Sequence, residues 1–252
     1  MILAIDIGNT TVKLAGIDAE TEKVVFSERL KTVRERAYEE YLADIRALLA
    51  GREFEGAVMS SVVPPVAEKV CAAVKEITGA EPMNVTVHTD MGLEIDLPEP
   101  DKVGKDRYVD AAWAAENLAL PAVTADLGTA TTLNVVGRGG VFLGGVIACG
   151  LSTGLNALAE RAAQLPEIPL RTPEHIIGKN TTECMLTGAV AGTAAMLDGI
   201  LSDIEDELGE TVSFIITGGT ARYVVPLLRH EHIYDPELTL KGLALIYKKN
   251  RA

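Results

Sequence analysis

Two carboxylates stand in the same local pattern 120 residues apart, at Asp6 and Asp126. Residues 4–13 read Ala-Ile-Asp-Ile-Gly-Asn-Thr-Thr-Val-Lys, and residues 124–133 read Thr-Ala-Asp-Leu-Gly-Thr-Ala-Thr-Thr-Leu. Each copy is an apolar run, an Asp, one apolar residue, a Gly, a cluster of small polar residues and a second apolar run. Such a turn between strands carries one carboxylate, while Gly8 and Gly128 have no Cβ to keep backbone away from a phosphate. The neighbouring hydroxyls and N–H groups are donors. Two such turns facing each other would hold a nucleotide phosphate tail and its cation. Asp6 would reach the phosphates through hydrated Mg²⁺, which keeps several waters and takes few protein carboxylates. Lys13 would add a point charge. The plain alternative for one copy alone is a hairpin turn at Gly8-Asn9, with Lys13 an outward strand residue.

Gly104-Lys105-Asp106-Arg107 opens a helical stretch. Asp106 is either an N-cap or a base that takes a proton from an attacking hydroxyl, with Arg107 binding a carboxylate or a transferring phosphoryl group. Phosphoryl transfer needs mostly positioning and charge neutralisation, so one carboxylate and one Arg are adequate. Residues 215–220, Ile-Ile-Thr-Gly-Gly-Thr, read as strand, glycine turn and helix, against which a nucleotide could lie. The four histidines lack metal-ligand spacing.

The elements that must position these residues follow from periodicity. In the first half, strands are expected at 2–6, 12–17, 23–30, 56–63 and 85–88, and helices at 34–50, 66–78 and 106–120. In the second half, strands are expected at 122–126, 131–136, 140–147 and 212–217, and helices at 152–165, 182–207, 220–229 and 240–249. The repeated order describes a mixed sheet with packed helices in each half, with domains at 1–118 and 119–252.

The formal net charge of −13 opposes a nucleic-acid partner. Three dispersed cysteines, Cys71, Cys149 and Cys184, fit a reducing cytosol better than a disulfide framework. The start of the chain reads as a strand rather than a signal peptide. The stretch 141–151, taken as the most apolar, is too short to span a bilayer.

Taken together, these segments resemble the type III pantothenate kinase family of the acetate kinase/sugar kinase/Hsp70/actin superfamily. The anchors are Asp6-x-Gly8-Asn9-Thr10-x-x-Lys13, Ser60-Ser61-Val62-Val63-Pro64, Gly104-x-Asp106-Arg107, Asp126-x-Gly128-Thr129, Gly144-Gly145, Gly178-Lys179-Asn180-Thr181 and Thr217-Gly218-Gly219. The resemblance implies an α/β fold of two RNase H-like domains with the active site in the cleft between them. It implies ATP-dependent phosphorylation of pantothenate, the first step of coenzyme A synthesis, in a cytoplasmic homodimer with no nucleic-acid or membrane partner. By the same resemblance, Asp106 matches the general base, and Asp126 matches a ligand of K⁺ (or NH₄⁺). Asp6, Gly8, Asn9, Thr10, Thr11, Lys13 and Thr129 match the ATP contacts, and Leu97, Gly104, Lys105, Asp106, Arg107 and Thr181 match substrate positions.

Three departures stand out. Leu97 occupies the place of a Tyr that lines the pantothenate pocket, Lys105 that of an Ala beside the base, and Cys149 that of a Pro. Leu97 cannot donate the hydrogen bond that a Tyr could, and both it and Lys105 bear on substrate choice. Two alternatives follow: a kinase for another hydroxylated acid, and a non-catalytic nucleotide-binding regulator on the same scaffold.

Overall fold

A computed structural model of the protein describes residues 1–251. The chain divides into two compact units, residues 1–116 with 237–252, and residues 117–236.

In unit 1 the strands are β1 (Ile2–Ile7), β2 (Thr11–Ile17), β3 (Val24–Lys31), β4 (Gly56–Ser61), β5 (Met83–Asn84) and the two-residue β6 (Glu94–Ile95). The helices are α1 (Tyr38–Leu49), α2 (Pro64–Thr78), α3 (Lys105–Asn117) and, from the C-terminus, α8 (Leu238–Lys249). The sheet order is β3-β2-β1-β4-β5. β1–β2 and β2–β3 are antiparallel, while β1–β4 and β4–β5 are parallel. β1 is buried along its whole length, because side chains alternate between two covered faces. Leu3, Ile5 and Ile7 pack with Tyr41, Ile45, Val66 and Val70 of α1 and α2. Ile2, Ala4 and Asp6 point the other way.

α8 packs on β1 and β4, so the described residues from 237 onward join unit 1, not the second half to which the sequence reading assigns them. Its burial explains this. Leu238, Leu240, Leu243 and Ile246 are all buried, and Gly242 meets α3 so closely that a Cβ would lie 2.5 Å from the Val109 carbonyl.

Unit 2 contains β7 (Ala122–Leu127), β8 (Ala130–Gly137), β9 (Val141–Cys149), β10 (Ser213–Thr217) and β11 (Ile233–Tyr234). Its helices are α4 (Leu151–Arg161), α5 (Thr181–Leu186), α6 (Gly192–Leu208) and α7 (Ala221–Val224). These strands run β11-β10-β7-β8-β9, which is the order of unit 1 repeated, with the same antiparallel and parallel pairings. Val123, Ala125, Leu127 and Leu133 pack against Val190, Ala194, Leu197 and Leu201.

Several boundaries differ from the sequence expectation. The strand expected at 85–88 is displaced to Met83–Asn84, and α1 begins at Tyr38, not 34. The helix expected at 220–229 stops at Val224 and continues as a 3-10 turn through Leu227, where Pro226 removes an N–H. The helix expected to reach 165 ends at Arg161.

Residues 181–208 form a run of 28 helical residues with a π turn at 187–191. This run is long and apolar enough to cross a bilayer by length and composition, with mean hydropathy 1.5. The helix itself is expected from the sequence at 182–207, but its apolar window, not the stretch 141–151, is the one long enough to span a bilayer.

Candidate active site

Unit 1 places its carboxylate at the end of a buried strand. Asp6 is 9% exposed and lies opposite Lys13 on β2 and opposite Ser60 on β4. Its two oxygens are divided between those neighbours. The buried Ser60 hydroxyl donates to Oδ1 at 3.0 Å, and the Lys13 ammonium stands 3.7 Å from Oδ2. The strand pair then closes through Gly8, Asn9 and Thr10, with Gly8 N–H donating to the Thr11 carbonyl at 3.0 Å. Asn9 and Thr10 are exposed, and Thr11 is half-buried. This is the shape of a phosphate-binding turn: a carboxylate behind, a cation beside it and small residues at the tip.

Gly104, Asp106 and Arg107 lie at the start of α3. Val62, just past β4, donates its N–H to the Ile7 carbonyl at 3.1 Å, and a Cβ on Gly104 would meet the Val62 side chain at 3.4 Å. The ends of β1 and β4 and the start of α3 therefore share one edge of unit 1. Asp106 is not an N-cap, because α3 begins one residue earlier at Lys105. Its Oδ1 accepts the N–H of Arg107 at 2.9 Å. A Cβ at Gly104 would come within 2.5 Å of that oxygen, so residue 104 must be glycine for the carboxylate to keep this position. Burial pushes the Arg107 guanidinium below its ordinary value, and the Asp106 carboxylate opposes the shift. A partly desolvated, still charged guanidinium is suited to gripping an anion.

Lys105 is engaged by the turn that precedes α3. Its ammonium donates to the carbonyls of Asp101 and Val103, each at 3.2 Å, and lies 5.6 Å from the centre of the Tyr108 ring. Tyr108 donates its hydroxyl to the Pro100 carbonyl at 3.0 Å. Lys105 and Tyr108 thus fasten the 3-10 turn Pro100–Lys102 onto α3. Leu97 is half-buried in the loop before that turn.

Unit 2 repeats the carboxylate turn. Asp126 lies opposite Thr132 on β8 and opposite the buried Thr217 on β10. Gly128 N–H donates to the Ala130 carbonyl at 3.0 Å. The carboxylate sits in a cradle of glycines. A Cβ on Gly128 would lie 3.8 Å from Asp126 Oδ1, and one on Gly218 only 2.4 Å from it. An anionic oxygen ligand lined by residues without side chains fits a hard cation, so Asp126 is the residue that would hold one. Thr129 is exposed at the tip of this turn. Thr181 is on a different element, the first residue of α5, where Asn180 Oδ1 caps the helix by accepting the Glu183 N–H at 3.0 Å.

A family model described as type III pantothenate kinase matches residues 2–203. Curated type III pantothenate kinases align over nearly the whole chain. The protein from Thermus thermophilus is 38% identical over 98% of this chain and 98% of its own length. The one from Halalkalibacterium halodurans is 37% identical over 99% and 100%. The chain belongs to the type III pantothenate kinase family.

Distant solved structures bear on the fold of this family member alone. A Baf family protein from Campylobacter jejuni superposes with a TM-score of 0.64 at 17% identity, covering 98% of both chains. An inorganic polyphosphate/ATP-glucomannokinase from Arthrobacter sp. strain KM superposes with a TM-score of 0.51 at 16% identity, again covering 98% of both. With the repeated strand order, these likenesses establish the two-domain RNase H-like fold. Sequence reading of this kinase family member took Ser60 as a motif residue without a role and passed over Thr32 and Thr153. Their places depend on strand register and on the path of the chain after β3 and β9.

Proposed function

We propose that the protein transfers the γ-phosphoryl group of ATP to the primary hydroxyl of pantothenate, giving 4′-phosphopantothenate and ADP, the first step of coenzyme A biosynthesis. The observation that carries this reading is the placement of Asp6, held between Ser60 and Lys13, on the same edge of unit 1 as the Gly104–Arg107 turn. One end of that edge suits a phosphate chain. The other suits a hydroxylated acid.

In this reading the triphosphate lies on residues 6–13, and Lys13 offsets its charge. Asp106 accepts the hydroxyl proton as the substrate oxygen attacks phosphorus, the new O–P bond forms, and the bond to the bridging oxygen of ADP breaks. Arg107 pairs with the pantothenate carboxylate and fixes the attacking oxygen in line. Lys105 acts indirectly, by keeping the turn at residues 100–102 in place, and Leu97 and Thr181 contact the acceptor. Mg²⁺ would be held through water near Asp6 and K⁺ (or NH₄⁺) at Asp126, and each would supply positive charge to offset the phosphates. Thr129 contacts ATP.

The enzyme acts in the cytoplasm as a homodimer without nucleic-acid or membrane partners. A dimer is supported by an apolar groove of about 780 Å³ in unit 2, lined by Leu151, Leu155, Leu158, Met185 and Met196 among others. It is also supported by the helix at 181–208, only 33% buried over its most apolar window.

The test is ADP release with ATP, Mg²⁺ and pantothenate, with and without K⁺. Turnover that requires pantothenate and rises with K⁺ supports the reading. ATP binding without turnover on pantothenate overturns it.

A further inference from the structure

A turn that binds an anion must point N–H groups toward it and keep its carbonyls away, since a carbonyl oxygen repels a phosphate oxygen. In the turn at residues 8–10 the carbonyls are engaged by a segment outside the motif. Thr32, just past β3, donates its hydroxyl to the Gly8 carbonyl at 2.8 Å and its backbone N–H to the Thr10 carbonyl at 3.0 Å. Two residues on, Arg34 donates from Nη2 to Asn9 Oδ1 at 3.3 Å. Three successive residues of the turn are therefore each touched by residues 32–34.

That segment is itself fixed. The hydroxyl of the buried Tyr41 accepts the Val33 N–H at 2.9 Å and donates to the Val33 carbonyl at 3.1 Å. Lys69 donates to the carbonyls of Arg34 and Arg36 at 2.9 and 2.7 Å. These bonds are why α1 starts at Tyr38 and not at 34.

Unit 2 solves the same problem with other residues. The Thr129 carbonyl accepts the Gly150 N–H at 3.2 Å and the Thr153 hydroxyl at 2.7 Å. In both units the chain leaving the third strand supplies one backbone N–H and one threonine hydroxyl to the carbonyls of the turn. The recurrence on different sequence argues that the clamp belongs to the turn's task.

We infer that Thr32 and Arg34 form part of the nucleotide-phosphate site. Thr32 is a positioning residue that holds the carbonyls of the turn away from the phosphates. Arg34 is a direct phosphate ligand. Its guanidinium is exposed and held at the lip of the turn by one long bond to a neutral amide, which a charge-assisted bond to a phosphate oxygen outcompetes. The inference rests on the reading that residues 6–13 bind the triphosphate, and it is independent of which acceptor is phosphorylated.

The experiment is direct titration of the full-length protein with ATP and Mg²⁺, and separately with adenosine, without acceptor. R34A weakens ATP binding about tenfold, because one charge-assisted bond is lost. R34K recovers only part of it, because an ammonium lacks the planar fork. T32V weakens ATP binding several-fold, and T32S, which keeps the hydroxyl, restores it. Adenosine affinity is unchanged in all four variants. Wild-type ATP affinity in R34A, or an equal loss for adenosine, overturns the assignment of Arg34. Failure of T32S to exceed T32V overturns that of Thr32. A wild-type protein that binds ATP yet leaves pantothenate untouched would refute the proposed reaction alone and leave this inference standing.

Discussion

Ser60 and Asp6 occupy paired positions on adjacent parallel strands, and the Ser60 hydroxyl donates to Asp6 Oδ1 at 3.0 Å within the protein interior. The register of Thr217 with Asp126 on the corresponding strands of unit 2 repeats that pairing. In each unit a small hydroxyl residue stands beside the carboxylate from the first parallel neighbour. A buried carboxylate needs donors, and for Asp6 the neighbouring strand supplies one at fixed register without a loop.

Ser60→Ala removes that donor and leaves the fold's apolar contacts intact. Loss of a hydrogen bond to a charged group costs about 1.5–3 kcal/mol, so kcat/KM for ATP is expected to fall about 10–100-fold. Steady-state kinetics at varied Mg²⁺ would check this. An unchanged ATP profile would mean that Asp6 is positioned by Lys13 alone.

Asp106→Asn keeps the shape of the first turn of α3 and removes the carboxylate proposed as the base. Turnover is expected to drop by roughly 10²–10⁴, while ATP binding stays near wild type. Single-turnover measurements with saturating pantothenate separate the two. Wild-type turnover in this variant would end the base assignment.

Gly218→Ala tests the cradle around Asp126. Its φ is +103°, and a Cβ would lie 2.4 Å from both Asp126 Oδ1 and the Leu127 nitrogen. Strain of this kind costs about 1–3 kcal/mol, so a lower Tm and weaker K⁺ activation are expected. At Gly219 a Cβ would meet nothing within 4 Å, so Gly219→Ala should keep the wild-type Tm. Equal Tm values for the two variants would contradict the crowding at Gly218.

Asp198 gives a pH-dependent stability. Burial raises its carboxyl, but bonds from the His230 ring and from the N–H groups of His230 and Arg229 outweigh this and hold it below its ordinary value. Glu205 Oε2 also faces the ring, 3.8 Å from His230 Nε2. A depressed folded-state value means that the stabilisation is present above the ordinary carboxylate range and is lost as pH falls through the folded value. Asp198→Asn should therefore lower Tm at neutral pH, with the gap to wild type closing as pH drops through the acidic range below the ordinary carboxylate value. A gap that widens on acidification would reverse the sign of this contribution.

The duplicated turn was legible from its residues because the constraint is local. Gly8 and Gly128 sit two residues after the carboxylates in short turns, the strands on either side alternate or run apolar, and their pairing is antiparallel. The helix face of Val66, Val70 and Val74 was visible for the same reason. Parallel pairing was not, because β1 and β4 meet only after a long crossover, and nothing within either strand states their register. Ser60 was thus visible as a residue type but not as the partner of Asp6.

The path of the chain after β3 was hidden as well. Tyr38, Tyr41, Leu42 and Ile45 set a helical period that reads backward to 34, yet the hydrogen bonds of Thr32, Val33 and Lys69 hold residues 32–36 on the turn and out of the helix. The last helix shows the same limit. Its period was plain in the sequence, but its partner was not, since an apolar face specifies that it must be buried without specifying where. The sequence by itself determined the local geometry of both carboxylate turns and the family they mark. The tertiary structure alone decided which distant hydroxyls complete them and which unit takes the C-terminal helix, because those depend on contacts between segments that share no local pattern.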